Sequence, residues 1–205
     1  MRWLRLVLVL AVVGCLVVGY AVGKIAPGEQ FVPEYFQHKV GNCYHFHGTG
    51  SLLATMDWEV VEQEKNRVQI VQTIRGAKAA LVYRWRPQRL ELIYYGENYP
   101  YENHLWKRSN IREVVLQAPL RLGNRWRDKY TEREIVALDE VVELSCGRYE
   151  ALKVKKQYRH LDAVEYEYYV RGMGLVKSEY RSGEIGITTK LEELIPVKGV
   201  VGAIP

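Results

Sequence analysis

Side chains that could bind a metal ion alternate near the start of the folded body, at Cys43, His45 and His47. Residues two positions apart lie on the same face of a β-strand. Thiolate and imidazole groups are good ligands for zinc or copper. The pattern therefore predicts a candidate metal site on these three residues, with His104 or His160 as a more distant fourth ligand.

The same segment has a simpler interpretation. Cys43, His45 and His47 would then form the solvent-facing side of a strand whose Tyr44 and Phe46 point inward. Alternate side chains on one strand lie about 7 Å apart, which is wide for ligands of a single ion. Both interpretations stay open at the level of the sequence.

Recognisable catalytic motifs are absent from the sequence. The patterns G-x-S-x-G, S-x-x-K and H-E-x-x-H do not occur. Gly48-Thr49-Gly50-Ser51 resembles a phosphate-binding loop only superficially, because the lysine of such loops is missing. Neighbouring acids such as Glu165 and Glu167 are interpreted as the solvated face of a strand, not as a catalytic pair in a cleft. We therefore expect a non-enzymatic protein without a cofactor.

Tryptophan and tyrosine side chains are frequent, with 5 and 15 copies. Aromatic residues on a curved sheet with an open mouth could line a cavity for an apolar ligand. The simpler interpretation, which we favour, is that they fill the hydrophobic core, because aromatics dominate core packing. The candidate lining residues are Trp58, Trp85, Trp106 and Trp126.

The N-terminal segment is typical of a targeting or anchoring sequence. Arg2 and Arg5 precede an apolar run from residue 6 to 22, which is at the lower length limit for a membrane span. Three interpretations remain: an uncleaved anchor, a signal peptide cut after Gly23, or a lipobox at residues 12–15 with lipidation of Cys15. All three place the body outside the cytoplasmic membrane, which is the partner expected for this segment.

The cysteine pattern argues against two kinds of cysteine site and permits one disulfide bond. The chain has 3 cysteines and no C-x-x-C pair, so neither a zinc ribbon nor a thioredoxin-type site is indicated. Cys43 and Cys146 could form a disulfide if the body lies outside the cytosol. The net charge of +5 is spread without a basic run, so we expect no nucleic-acid partner.

The segment from Ala163 to Tyr180 predicts a β-hairpin. Val164, Tyr166 and Tyr168 alternate with charged neighbours, and Gly172-Met173-Gly174 interrupts the alternation as a tight turn would. About ten such strands, joined by short turns, predict an all-β antiparallel meander. It would form a strongly curved sheet, a half-barrel or a sandwich, preceded by one N-terminal apolar helix. The predicted division is a leader at 1–23, a linker at 24–34, one β-domain at 35–195 and a loose tail at 196–205.

Four segments resemble a family of uncharacterised secreted or anchored bacterial envelope proteins. They are YFQHKVGNCYHFHGTG, PLRLGNRW, GRYEALKV and EYEYYVRGMGLVKSEY. The chain departs from the family pattern at Tyr44, where the pattern has tryptophan, and at Ser145-Cys146, where it has Pro-Ala. The resemblance implies an extracytoplasmic antiparallel β-domain, distantly similar to the half-barrel lipoprotein carriers of the LolA/LolB type. It implies no activity.

Three functions follow as expectations. The first is a membrane-tethered β-domain outside the cytoplasm that serves in binding or in envelope architecture. The second is a carrier or sensor that holds an apolar ligand in a half-barrel. The third is a metal-binding protein that uses Cys43, His45 and His47.

Overall fold

The computed structural model describes residues 31–36, 39–99 and 102–196. The predicted leader with its apolar helix, Cys15, most of the linker and nearly all of the C-terminal tail lie outside the described residues. Within the described ranges, no helix has the length and apolarity needed to cross a bilayer.

The body is all-β, as predicted, but it has twelve strands where the sequence predicted about ten. A short 3₁₀ helix at Val32–Tyr35 precedes them, across the predicted boundary between the linker and the β-domain. The strands are β1 (Cys43–Thr49), β2 (Met56–Glu64), β3 (Arg67–Ile74), β4 (Ala77–Arg86), β5 (Arg89–Glu97), β6 (Glu113–Gln117), β7 (Arg125–Arg127), β8 (Thr131–Leu144), β9 (Gly147–Tyr158), β10 (Val164–Val170), β11 (Gly174–Ser182) and β12 (Ile185–Ile195).

All twelve strands belong to one sheet in the order β6-β5-β4-β3-β2-β1-β12-β11-β10-β9-β8-β7. Each half of the chain is a meander of antiparallel neighbours, and the halves join where the first strand pairs with the last, from Cys43 opposite Ile195 to Thr49 opposite Thr188. The two sheet edges are therefore β6 and β7, which are consecutive in the sequence. The sheet curves until these edges come close, which gives a nearly closed barrel.

Side chains hold the two edges together where no backbone ladder does. The Trp126 indole donates to the Val114 carbonyl at 2.8 Å, and the Asn124 amide donates to the Gln117 carbonyl at 2.9 Å. The Val114 amide in turn donates to the Asp128 carboxylate at 3.3 Å. We call this contact between β6 and β7 the seam.

The 3₁₀ helix packs against one end of the barrel. Its Val32 amide donates to the Pro87 carbonyl at 3.0 Å, and its Glu34 carbonyl accepts from the Gly172 amide at 2.7 Å. Pro87 and Gly172 belong to the β4–β5 and β10–β11 turns, which lie at the same end of an antiparallel sheet. The Phe36 ring follows the helix into the core, with its centroid 4.9 Å from that of Tyr83.

The long loop between β5 and β6 lies on the outer face of the barrel. Gln69, fully buried on β3, donates to the Tyr99 hydroxyl and the Glu102 carbonyl and accepts from the His104 amide. Leu105 packs on Val82 and Ile93 in a second, small apolar cluster. The Trp106 indole, a candidate for lining a cavity, lies on the outside and donates to Glu64 at 2.6 Å.

Candidate functional site

The predicted metal ligands do not converge. The His45 Nδ1 atom lies 2.6 Å from the Asp57 carboxylate, and the Cys43 thiol lies 3.8 Å from the Gly41 carbonyl oxygen. Tyr44 and Phe46 between them are buried, so the trio occupies the outer face of β1. Across the described part of the chain, no group of three or more His, Cys, Asp and Glu side chains is placed to hold a metal ion. The geometry therefore lends no support to a metal site at Cys43, His45 and His47.

The predicted disulfide is not formed, because Cys43 and Cys146 are both free thiols. Cys43 begins β1, whereas Cys146 lies in the turn between β8 and β9. Four strands separate β1 from β8 in the sheet. Spacing along the chain does not reveal this separation, which is set by the barrel topology.

The four candidate tryptophans have different environments. Trp58 is buried and lines an interior cavity. Trp126 is also buried, but its indole is used in the seam. Trp85 is partly buried at the margin of the core, and Trp106 is 52% exposed on the outer loop. Only Trp58, among the four, faces this cavity.

The interior cavity has a volume of about 190 Å³ and is partly enclosed. Its wall combines apolar and aromatic side chains with ionisable and hydroxyl groups. The apolar and aromatic lining residues are Phe36, Met56, Trp58, Tyr83, Leu90, Leu92, Val115 and Leu175. The polar lining residues are Glu113, Arg133, Lys156, Glu165, Glu167, Tyr169 and Ser178.

Strand register explains why five charged residues meet there. Lys156 on β9 lies opposite Arg133 on β8 and opposite Glu165 on β10, so the three share the inner face of the sheet. Glu167 follows Glu165 by two residues and keeps the same face. Glu113 joins from β6, across the seam. We call these five residues the interior charge cluster.

Arg133 is the centre of the interior charge cluster and is only 1% exposed. Its two terminal nitrogens pair with Glu167 and Glu113, and one of them also donates to the Val115 carbonyl at 3.3 Å. The link to Glu113 adds an ion pair to the side chains that close the seam. Arg133 therefore connects the interior cavity to the closure of the barrel.

Lys156 completes the pairing of the three acids. Its ammonium lies 3.2 Å from Glu113, 3.3 Å from Glu165 and 3.5 Å from Glu167. The Tyr169 hydroxyl donates to Glu167 at 2.7 Å, and the Tyr158 hydroxyl donates to Glu165 at the same distance.

Electrostatics favours the charged forms of Arg133, Lys156 and Glu113. Burial disfavours the charged forms of Arg133 and Lys156, but the neighbouring carboxylates outweigh it and raise the pKa of both groups. Burial opposes ionisation of Glu113 as well, yet Lys156 and Arg133 lower its pKa below the usual value. Burial, followed by the charge on Glu167, raises the pKa of Tyr169, which stays a neutral donor.

Two buried nitrogens in the cavity wall lack a partner. Trp58 Nε1 and Arg133 Nε have no hydrogen-bond acceptor among the described residues, although both side chains are more than nine-tenths buried. A third such atom, His104 Nδ1, belongs to the outer loop, where the His104 ring packs on Tyr94, and His104 does not line this cavity. An unsatisfied buried donor costs about 1–3 kcal/mol. Both residues line the cavity, but the two nitrogen atoms themselves have almost no accessible surface.

The sequence interpretation of Glu165 and Glu167 was wrong. The two acids lie on the inner face of β10, and Glu167 is buried. The alternation was found correctly, but it cannot say which face points inward when both faces carry aromatic residues. A usable signal was present in β8 and β9, where Arg133 and Lys156 stand two residues from the core residues Ile135 and Val154.

Comparison with known proteins identifies a shared fold and assigns no activity to it. No protein-family model matches the chain, and no curated protein matches it significantly. The chain is similar to a "putative exported protein with YMCC-like fold" from Bacteroides fragilis NCTC 9343, with a TM-score of 0.54 and 15% identity over 78% of this chain and 98% of that one. It is also similar to a "putative lipoprotein" from Parabacteroides distasonis ATCC 8503, with a TM-score of 0.47 and 16% identity over the same shares. The first likeness establishes that this chain shares the overall fold of that exported protein.

Proposed function

We propose that this chain is a membrane-tethered, non-enzymatic binding domain outside the cytoplasm and that the barrel interior is its binding site. The N-terminal pattern of two arginines and an apolar run supports export. The solved structure that shares the fold is described as an exported protein, which agrees with this location.

One observation carries the proposal of binding. The cavity contains the interior charge cluster, in which five ionisable side chains from four strands meet inside the barrel. Replacing buried ion pairs by apolar residues of similar volume is often neutral or stabilising, so their presence is poorly explained by stability alone. Perturbed ionisable groups gathered in a cavity are a common mark of a functional site.

A carrier of a purely apolar ligand is a weaker candidate. Charged and hydroxyl side chains make up much of the wall, and an apolar molecule beside them would exclude water from these groups without offering them a hydrogen bond. The volume of about 190 Å³ is also smaller than the 300–1,000 Å³ typical of pockets for larger ligands. The proposed ligand is therefore small, or only one part of it enters.

Filling the cavity tests the proposal. Ser178→Phe places a ring in the cavity, whereas Ser145→Phe makes the same change in the exposed β8–β9 turn. Small molecules released by denaturing the purified full chain are identified by mass spectrometry. We expect a compound at near-equal molar amount from the wild type and from Ser145→Phe, and none from folded Ser178→Phe. Equal recovery from both variants would contradict an interior site.

A further inference from the structure

The described chain begins at one end of the barrel. The Val32 amide donates to the Pro87 carbonyl in the β4–β5 turn, so the start of the described chain lies at the end where this turn lies. Because neighbouring strands are antiparallel, the β2–β3, β6–β7, β8–β9 and β10–β11 turns lie there too. We call this the N-terminal end. The β1–β2, β3–β4, β7–β8, β9–β10 and β11–β12 connections lie at the opposite end.

Charge is distributed unevenly between the two ends. The described connections at the N-terminal end, taken with the strand residues that flank them, carry eight cations, which are Lys39, Lys65, Arg67, Arg86, Arg89, Arg121, Arg125 and Arg171, and two acids, which are Glu34 and Glu64. The opposite end, without the long β5–β6 loop on the outer face, carries four cations, which are Arg75, Arg127, Lys129 and Arg159, and three acids, which are Asp128, Asp162 and Glu184. The N-terminal end is therefore the more electropositive of the two.

Several of these cations are available to an external partner. Lys39, Arg86 and Arg121 are exposed, and they form no ion pair within the described ranges. Arg86 and Arg89 line an open hollow of about 630 Å³ together with Gln117, beside the β4–β5 turn. Guanidinium groups bind phosphate oxygens with two parallel hydrogen bonds, so this end suits a surface that presents phosphates.

Exposed apolar side chains lie next to these cations in the sequence. Leu122, which is 65% exposed, follows Arg121, and Val40, which is about half exposed, follows Lys39. Apolar side chains flanked by Lys and Arg are typical of protein surfaces that lie in the interface of an anionic bilayer. The opposite end exposes apolar side chains as well, among them Leu53, but it lacks the excess of cations.

The length of the connecting chain favours the same end. The apolar run ends at residue 22 and the described chain begins at residue 31, so eight residues lie between them and span at most about 29 Å. Strands of nine to twelve residues, such as β2 and β9, are about 30–40 Å long. With the run in a bilayer, the N-terminal end is within reach of the lipid surface, and the opposite end is a further barrel length away.

We infer that the N-terminal end of the barrel docks on the surface of an anionic phospholipid bilayer. Lys39, Arg86 and Arg121 contact headgroup phosphates, and Val40 and Leu122 enter the interfacial layer. This inference rests on the membrane tether of the proposed function. It adds an orientation to that function, because the opposite end of the barrel is then directed away from the membrane.

Single fluorescent labels report this orientation. The native thiols are replaced in the full chain by Cys15→Ser, Cys43→Ser and Cys146→Ser, and a bimane label is attached at Leu122→Cys or at Leu53→Cys. The protein is reconstituted in vesicles of phosphatidylcholine, alone or mixed with anionic phosphatidylglycerol, with a nitroxide-bearing lipid as the quencher. We expect strong quenching of the label at position 122 in the anionic vesicles, weaker quenching of it in the neutral vesicles, and little quenching at position 53 in either.

Charge reversal separates docking from tethering. The ratio of docked to undocked protein is taken from the fractions of quenched and unquenched label at position 122. We expect Arg121→Glu to lower this ratio at least about 5-fold in the anionic vesicles, which is the size of effect expected for one cation near an anionic surface. Arg86→Glu should act in the same way. Lys129→Glu, an exposed residue at the opposite end, is the matched control and should leave the ratio unchanged.

The outcomes test docking and tethering separately. Equal quenching of the two labels overturns the docking inference while the tether stands. Quenching at position 122 that changes neither with phosphatidylglycerol nor in Arg121→Glu and Arg86→Glu overturns it as well. If the full chain does not float with the vesicles in a density gradient, the membrane tether of the proposed function is refuted, and the docking inference with it.

Discussion

At the scale of single residues, the interior of this barrel depends on Arg133. Its guanidinium pairs with two acids from different strands while being almost fully buried. A buried ion pair contributes little net stability as a whole, but removing one partner leaves the other charges without compensation. Replacing the whole set of ion pairs by apolar residues could leave the stability of the fold unchanged. Truncating Arg133 alone would lower that stability, because the buried acids would lose their counter-charge.

We predict that Arg133→Ala lowers the free energy of unfolding by about 3–5 kcal/mol, because Glu113 and Glu167 lose their buried counter-charge. Arg125→Ala is the matched control, since Arg125 pairs with Glu134 at 3.0 Å but is 64% exposed. Its loss should cost no more than about 1 kcal/mol. Chemical denaturation measures both, and equal losses would mean that the Arg133 pairs are no stronger than surface pairs.

The lowered pKa of Glu113 predicts that the free energy of unfolding depends on pH. Lys156 and Arg133 hold the pKa of folded Glu113 below the ordinary value of 4.5, so the unfolded chain takes up the proton first as the pH falls. The contribution of Glu113 is therefore complete above about pH 4.5 and is lost as the pH falls through the lower folded pKa. We expect the free energy of unfolding to decline less steeply below pH 4.5 in Glu113→Gln than in the wild type. Parallel curves from pH 7 to 3 would contradict this.

At the scale of elements, the seam is the least protected closure of the sheet. β6 has a backbone ladder to β5 on one side only, and side chains from and around β7 supply its contacts on the other. Separating β6 from β7 breaks a few hydrogen bonds and the Arg133–Glu113 ion pair. Separating any other two neighbouring strands of the sheet breaks a ladder of backbone hydrogen bonds.

We predict that Trp126→Phe raises the hydrogen-exchange rate of β6 amides, because the variant loses the bond from the indole to the Val114 carbonyl. A hydrogen bond of this kind contributes about 1 kcal/mol, which corresponds to a roughly 5-fold change in local opening. Trp106→Phe serves as the control, since its indole bonds outside the barrel. Exchange in β12, which has ladders on both sides, should not change in either variant.

Sequence reasoning located the strands better than it located the site. Alternation from Ala163 to Tyr180 identified the hairpin of β10 and β11, which pair as antiparallel neighbours. It could not supply register between distant strands, which brings Glu113 to Arg133 across 20 positions of sequence. Nor could it assign Glu165 and Glu167 to the inside, because charged residues on an inner face contradict the usual pattern of burial.

At the scale of the whole molecule, location is the property that the sequence predicts most directly. The leader, the interpretations of Cys15 and the expected tether lie outside the described residues. The described chain begins beside the β4–β5 and β10–β11 turns, so any tether that precedes residue 31 reaches the barrel at that end.

We predict that a C-terminal fusion to alkaline phosphatase is active in a bacterial host, because this enzyme requires an oxidising compartment for its disulfides. The same fusion without residues 1–23 should be inactive. Activity of both fusions, or of neither, would contradict export by the N-terminal segment. The mass of the mature N-terminus then decides among a retained anchor, cleavage after Gly23 and a lipid on Cys15.

The position of the two sheet edges affects the tendency of the protein to self-associate at high concentration. A single sheet of twelve strands would normally present two rows of unpaired amides and carbonyls, which invite strands from other molecules. Here the exposed rows are short, face one another and are capped by the side chains of Trp126 and Asn124. The barrel thus shields its own edges from self-association, and this protection would disappear in any state in which the two edges move apart.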